Sequence, residues 1–138
     1  MAVSFNFVEI KDTLRQKNKL KSWIKSIVEQ NGMKVGDISY IFCSDDYLLE
    51  INQNYLQHDY FTDIITFDYT AENKIAGDLF ISIDRVVDNA KELNVSFEEE
   101  LHRVIIHGVL HLLGFKDKTD KEAKQMRIKE QECLKTLM

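Results

Sequence analysis

Hydrophobic and polar positions alternate at the start of the chain. Val3, Phe5 and Phe7 fall on one side of "VSFNF", the period of a strand with one buried face. From about Asp12 to Gln30 the spacing becomes helical, with Leu14, Leu20, Trp23, Ile24, Ile27 and Val28 on one stripe, and Asn31-Gly32 supplies a helix stop. "DISYIFCS" predicts a second strand, and "DDYLLEINQNYL" a short helix begun by Ser44 or Asp45. The β-branched and aromatic runs "DIITFDY" and "GDLFISI", separated by polar "TAENKIA", predict an antiparallel pair. Asp84 to Leu93 reads as a helix. "VSFEEELHRVIIHGVLHLLG" reads as another, with Ser96 as N-cap and Glu99 three residues on, a capping box. Its second half is apolar nearly all round, which marks a helix buried by neighbours on several sides. The charged stretch from Asp120 to Met138 predicts a last helix, with Met126 and Leu134 among its few apolar residues.

The order βαβαββααα predicts an α+β fold: a small mixed β-sheet of about four strands with helices packed on it. The length of 138 residues, 44% hydrophobic and 30% charged, is that of one soluble globular domain spanning 1–138. The chain has no proline, and we find neither a repeat nor a linker. No apolar run approaches the ~20 residues of a membrane span, and "MAVSFNFVEI" lacks the basic and apolar regions of a signal peptide. No membrane partner is expected. Cys43 and Cys133, far apart and outside any CxxC, argue against a disulfide scaffold and for a reducing, cytoplasmic setting. A net charge of −5 counts against a generic nucleic-acid binder but leaves room for a local basic groove.

Candidate chemistry concentrates in "HGVLHLLGFKD", residues 107 to 117. On a helix, His107 and His111 stack on one face, the arrangement two imidazoles need to share a zinc ion. Gly114 can end the helix in the left-handed conformation and turn the chain back, bringing Asp117 to the same ion as an oxygen ligand. Three protein ligands leave a position for a metal-bound water, as in a catalytic zinc site. A histidine pair on a buried helix is by itself a weak signal, and packing alone also accounts for it; the combination with glycine and carboxylate favours metal. Zinc proteases of the HExxH type carry a glutamate after the first histidine. Here that residue is Gly108, which cannot take a proton.

The same run resembles the HGxLHLxGYDH signature of the YbeY family of endoribonucleases and rRNA maturation factors. "INQNYLQHDYFTDIITF" is similar to the family's LNxxYRxxDxxTDVLSF at Asn52, Tyr55, Asp59, Thr62, Asp63 and Phe67. "GDLFIS" resembles its GDIxIS strand, and Glu122 and Met126 fit the helix after the metal loop. The matches keep their order over roughly residues 45 to 130. The resemblance implies a small α+β domain holding one Zn2+ on His107, His111 and Asp117. It also implies single-strand-directed RNA hydrolysis in small-subunit rRNA maturation and ribosome quality control in the cytoplasm, with rRNA and the ribosome or its small subunit as partners.

Two departures stand out. The family's third ligand is usually histidine where this chain has Asp117, and its arginine after the motif tyrosine is replaced by Leu56. Leucine cannot grip phosphate as arginine does, which leaves Arg103, Arg85, Lys116 and Lys118 as candidate RNA-binding cations beside their plainer reading as solvated charges. Asp63 is read as a turn-capping residue or as a catalytic acid near the metal. Asp78 is read as turn-forming, His58 and His102 as surface residues, and Cys43 as core. Beside the nuclease stand two rivals: a ribosome-associated assembly factor with a structural metal, and a metal hydrolase of small substrates.

Overall fold

The computed structural model describes residues 2–56 and 62–137; His58 and Asp59, singled out above, lie outside these. The elements are β1 (Val3–Phe7), α1 (Lys17–Gln30), β2 (Lys34–Cys43), α2 (Asp45–Leu56), β3 (Ile64–Asp68), β4 (Lys74–Ser82), α3 (Ile83–Leu93), α4 (Phe97–Leu112) and α5 (Asp120–Leu137). The strands form one sheet in the order β1-β2-β4-β3. β2 runs parallel to both β1 and β4, and β3 pairs antiparallel with β4. This is the α+β class, with its mixed sheet and packed helices, that the hydrophobic pattern predicts.

Period-two alternation splits the core between the two faces of the sheet. Ile38, Tyr40, Phe42, Leu79 and Ile81 join residues of α1, α4 and α5 in the main core. Cys43, Ile65 and Phe80 meet Leu48 and Ile51 of α2 in a smaller one. Tyr40 is wholly buried, and its hydroxyl donates to the Ile105 carbonyl of α4 at 2.8 Å. The tie satisfies a group whose burial pushes its pKa upward and fixes α4 over the sheet.

Two boundaries and the role of Asp78 differ from the sequence reading. α1 begins at Lys17 and not near Asp12. Asp12 accepts from the Leu14 amide at 3.1 Å and pairs with Lys17, and Gln16 is left-handed with φ 57°, so a local side-chain turn replaces the first helical turn. Leu14 is buried all the same. β4 reaches back to Lys74 because the hairpin is tight: Glu72 and Asn73 both have positive φ, 53° and 65°, with Ala71 and Lys74 hydrogen-bonded across them, as in a type I′ turn. The last three residues of "TAENKIA" are therefore strand, with Ile75 in the core. Asp78 forms no turn. It lies within β4 opposite Phe67, and desolvation first, then the charge of Asp78, pushes the Tyr69 hydroxyl's pKa up.

Candidate metal centre

α4 carries the site. Ser96 caps it by accepting from the Glu99 amide at 3.1 Å, and its apolar residues are buried on several sides. At Gly108 a side chain would meet Ile64 and Leu79 of the sheet at 3.0–3.1 Å. The glycine thus lets α4 settle close to the sheet, and a glutamate there would point into the strands. The helix ends as glycine-terminated helices do: Gly114, with φ 101°, donates to the His111 carbonyl, and Phe115 donates to that of Leu110, each at 3.0 Å. Five residues later α5 starts from a reciprocal cap that the sequence reading missed. The Thr119 hydroxyl accepts from the Glu122 amide while the Glu122 carboxylate accepts from the Thr119 amide, both at 3.1 Å. Asp117 is held between these two fixed points.

The result is a converging donor set. One ligand atom each from His107, His111 and Asp117 lies within 4.8 Å of the others. Asp117 Oδ2 is 3.4 Å from Nε2 of both histidines. Zinc bonds of ~2.0–2.1 Å in a tetrahedron require donor spacings of about 3.3–3.4 Å; both Asp117–histidine spacings match that ion, and the ligand atoms of the two imidazoles lie within 4.8 Å of each other. Burial first, then the neighbouring His107, lowers the pKa of His111 against the pull of Asp117. That favours the neutral imidazole a metal requires.

Behind His107 lies a group of buried charges. Nδ1 of His107 meets Oε2 of Glu130 on α5. Arg103, one turn before His107, donates through Nη1 to both Glu130 oxygens at 3.2 and 3.3 Å, and through Nε and Nη2 to the two oxygens of Glu100 at 2.8 and 2.7 Å. Glu100 and Glu130 are each 1% exposed. Burial works to raise the Glu130 carboxyl, but the His107 hydrogen bond and the Arg103 charge outweigh it and hold it below its ordinary value. Neither carboxylate was picked out from the sequence, although a signal existed: Glu130 shares a stripe with Met126, Cys133 and Leu137, a buried position in a helix otherwise polar.

The ligands open onto a groove lined by Asn52 and Leu56 of α2, by Thr62, Asp63 and the edge strand β3, and by Asp68. Asp63 sits in it with its carboxylate 3.3 Å from the Asn89 amide and 3.6 Å from Arg103. Lys116 and Lys118 are exposed on either side of Asp117. Two of the expected cations are engaged elsewhere: Arg103 among carboxylates, and Arg85 with Asp45 and Asp88 where α2 meets α3. His102 is no plain surface residue; it lies half-buried with its ring edge-on to Trp23.

The chain is similar to known proteins over nearly its whole length. The family model described as Endoribonuclease YbeY matches residues 6–138. The chain is 52% identical to an Endoribonuclease YbeY of Parabacteroides distasonis, over 99% of this chain and 96% of that one. It is 50% identical to one of Flavobacterium johnsoniae, over 94% and 93%. A solution structure of a Thermotoga maritima protein superposes with a TM-score of 0.70 at 32% identity, covering 97% of this chain and 88% of the other.

Proposed function

Because this chain belongs to the YbeY endoribonuclease family, we propose that it is a zinc-dependent endoribonuclease directed at single-stranded RNA. Its role in this reading is small-subunit rRNA maturation and ribosome quality control, in the cytoplasm, with the ribosome or its small subunit presenting the RNA. The observation that carries the reading is the convergence of His107, His111 and Asp117 at an open groove.

Zinc held by these ligands supplies Lewis acidity and lowers the pKa of a water it binds toward ~7. The chain's own residues do the rest. Asp63, Asp68 and Asp117 give the groove a negative wall, and its described lining includes neither lysine nor arginine. A phosphodiester is therefore repelled until a cation sits among them, which ties substrate binding to the same occupied site. Asp63, steadied by Asn89, lines the groove as the group to orient an attacking water or move its proton. Leu56 offers an apolar wall suited to a base or ribose, and an unpaired strand can turn its bases toward such a surface. Lys116 and Lys118 are the cations for phosphates flanking the scissile one.

Leu56, standing where the family pattern has arginine, favours a second reading: a ribosome assembly factor whose metal is structural. Single-turnover cleavage of a single-stranded fragment of small-subunit rRNA, with zinc-loaded and chelated protein, separates the two. The nuclease cuts the single strand when loaded, spares a matched duplex and is silent after chelation. Full zinc occupancy without cleavage, together with retained co-sedimentation with ribosomal subunits, selects the assembly factor.

A further inference from the structure

His107 is engaged at both ring nitrogens. Nε2 faces Asp117, and Nδ1 faces Glu130. Only the Nδ1 contact, at 2.5 Å, is a hydrogen bond, and a carboxylate offers lone pairs only; its proton therefore sits on Nδ1, and Nε2, 3.4 Å from Asp117, keeps its lone pair toward the ligand cluster. Glu130 is itself held from behind. Arg103 reaches both its oxygens, and Glu100 grips the other side of the same guanidinium with two hydrogen bonds. Glu130 also meets Arg127 at 3.9 Å and Arg103 meets Asp63 at 3.6 Å, so three carboxylates share two guanidiniums, a set one positive charge short of balance. Such an excess is costly in the interior, and a cation on the far side of the His107 ring offsets it.

We propose that Glu130 is a positioning residue of the metal centre, fixing His107 in the Nδ1–H tautomer, and that Arg103, anchored by Glu100, acts through Glu130 and not on substrate. α5 would then be part of the site although it supplies no ligand. The inference rests on the metal reading of His107, His111 and Asp117.

The full-length chain tests it through the variant Glu130→Gln, which keeps size and shape. Arg103 has donors only, so the amide oxygen goes to Arg103 and the amide NH2 turns toward His107. That contact favours a lone pair on Nδ1 and a proton on Nε2, the tautomer that cannot bind zinc at Nε2. Zinc affinity, measured by competition with a chromophoric chelator, is expected to fall about 10–100-fold. Nitrogen-15 NMR of the histidines is expected to show Nδ1–H at His107 in the zinc-free parent and Nε2–H in the variant. A parent that binds no zinc overturns the metal reading itself. A zinc-binding parent with His107 in the Nε2–H tautomer, or a folded variant that binds zinc within twofold of the parent, overturns the role of Glu130 and leaves the metal reading standing. The parent's tautomer needs no variant, so the test holds even if Glu130→Gln does not fold.

Discussion

Asp117 brings a charged oxygen to a donor set otherwise made of imidazoles, and that charge makes any bound metal less electrophilic. Asp117→His should keep zinc near one per chain and lower the apparent pKa of metal-dependent cleavage, because a neutral ligand leaves the ion more acidic. A pH–rate profile that does not move toward acid would refute the assignment. Leu56 lines the groove with the ligands, so Leu56→Arg should tighten RNA binding or speed cleavage; no change in either assay removes Leu56 from the RNA path. Lys118→Ala should lessen the slope of log affinity against log salt by about 0.7, the share of one phosphate contact on a single strand. His102 carries a pH effect on stability. Burial, partly offset by Glu98, lowers its folded pKa below 6.5. The stability tied to its neutral form is complete above pH 6.5 and is lost as pH falls through the folded value. Thermal midpoints of His102→Gln should therefore decline less between pH 7 and 5 than those of the parent, and parallel curves would discount the effect.

The elements that build the site meet at the α4–α5 joint. Gly114 is left-handed and Thr119 caps the next helix. Gly114→Ala forces a side chain into the left-handed region at a cost of about 1–2 kcal/mol, and Thr119→Ala removes a cap for about 1 kcal/mol. Both should weaken zinc binding as well as stability, since Asp117 hangs between them. Loss of stability with unchanged zinc affinity would mean that Asp117 is placed by something else. Only the Gly114 half of this joint is read from the sequence; the Thr119–Glu122 cap is not. Ser96 and Glu99 announce the start of α4, and Gly114 its end, because each works through neighbours in the chain. The start of α1 is not legible: Leu14 fits the helical stripe and is buried, but the Asp12 side chain captures the Leu14 amide, a choice the hydrophobic pattern does not record. Gly108 is legible only in part. Its sequence excludes the protease glutamate, whereas its reason, the close approach of α4 to Leu79 and Ile64, is a matter of packing.

Over the whole molecule, the alternation of strands and helices announces the fold class, because each element carries its own period. The sheet order β1-β2-β4-β3 is not written in any one segment; it comes from which faces bury best together. The site divides the same way. His107, His111 and Asp117 are near neighbours in sequence and stand out there, while Glu130 is legible only as a polar residue on the buried stripe of α5, and its contact with His107 comes from the packing of that helix. With a net charge of −5 and a carboxylate-lined groove, the proposed function requires RNA contact to be local and to depend on the metal. Zinc content decides the account most directly. The purified chain, supplied with zinc and dialysed without chelator, should hold about one zinc per chain, and Asp117→Ala far less. A parent that stays well below one metal per chain after zinc is supplied would contradict it.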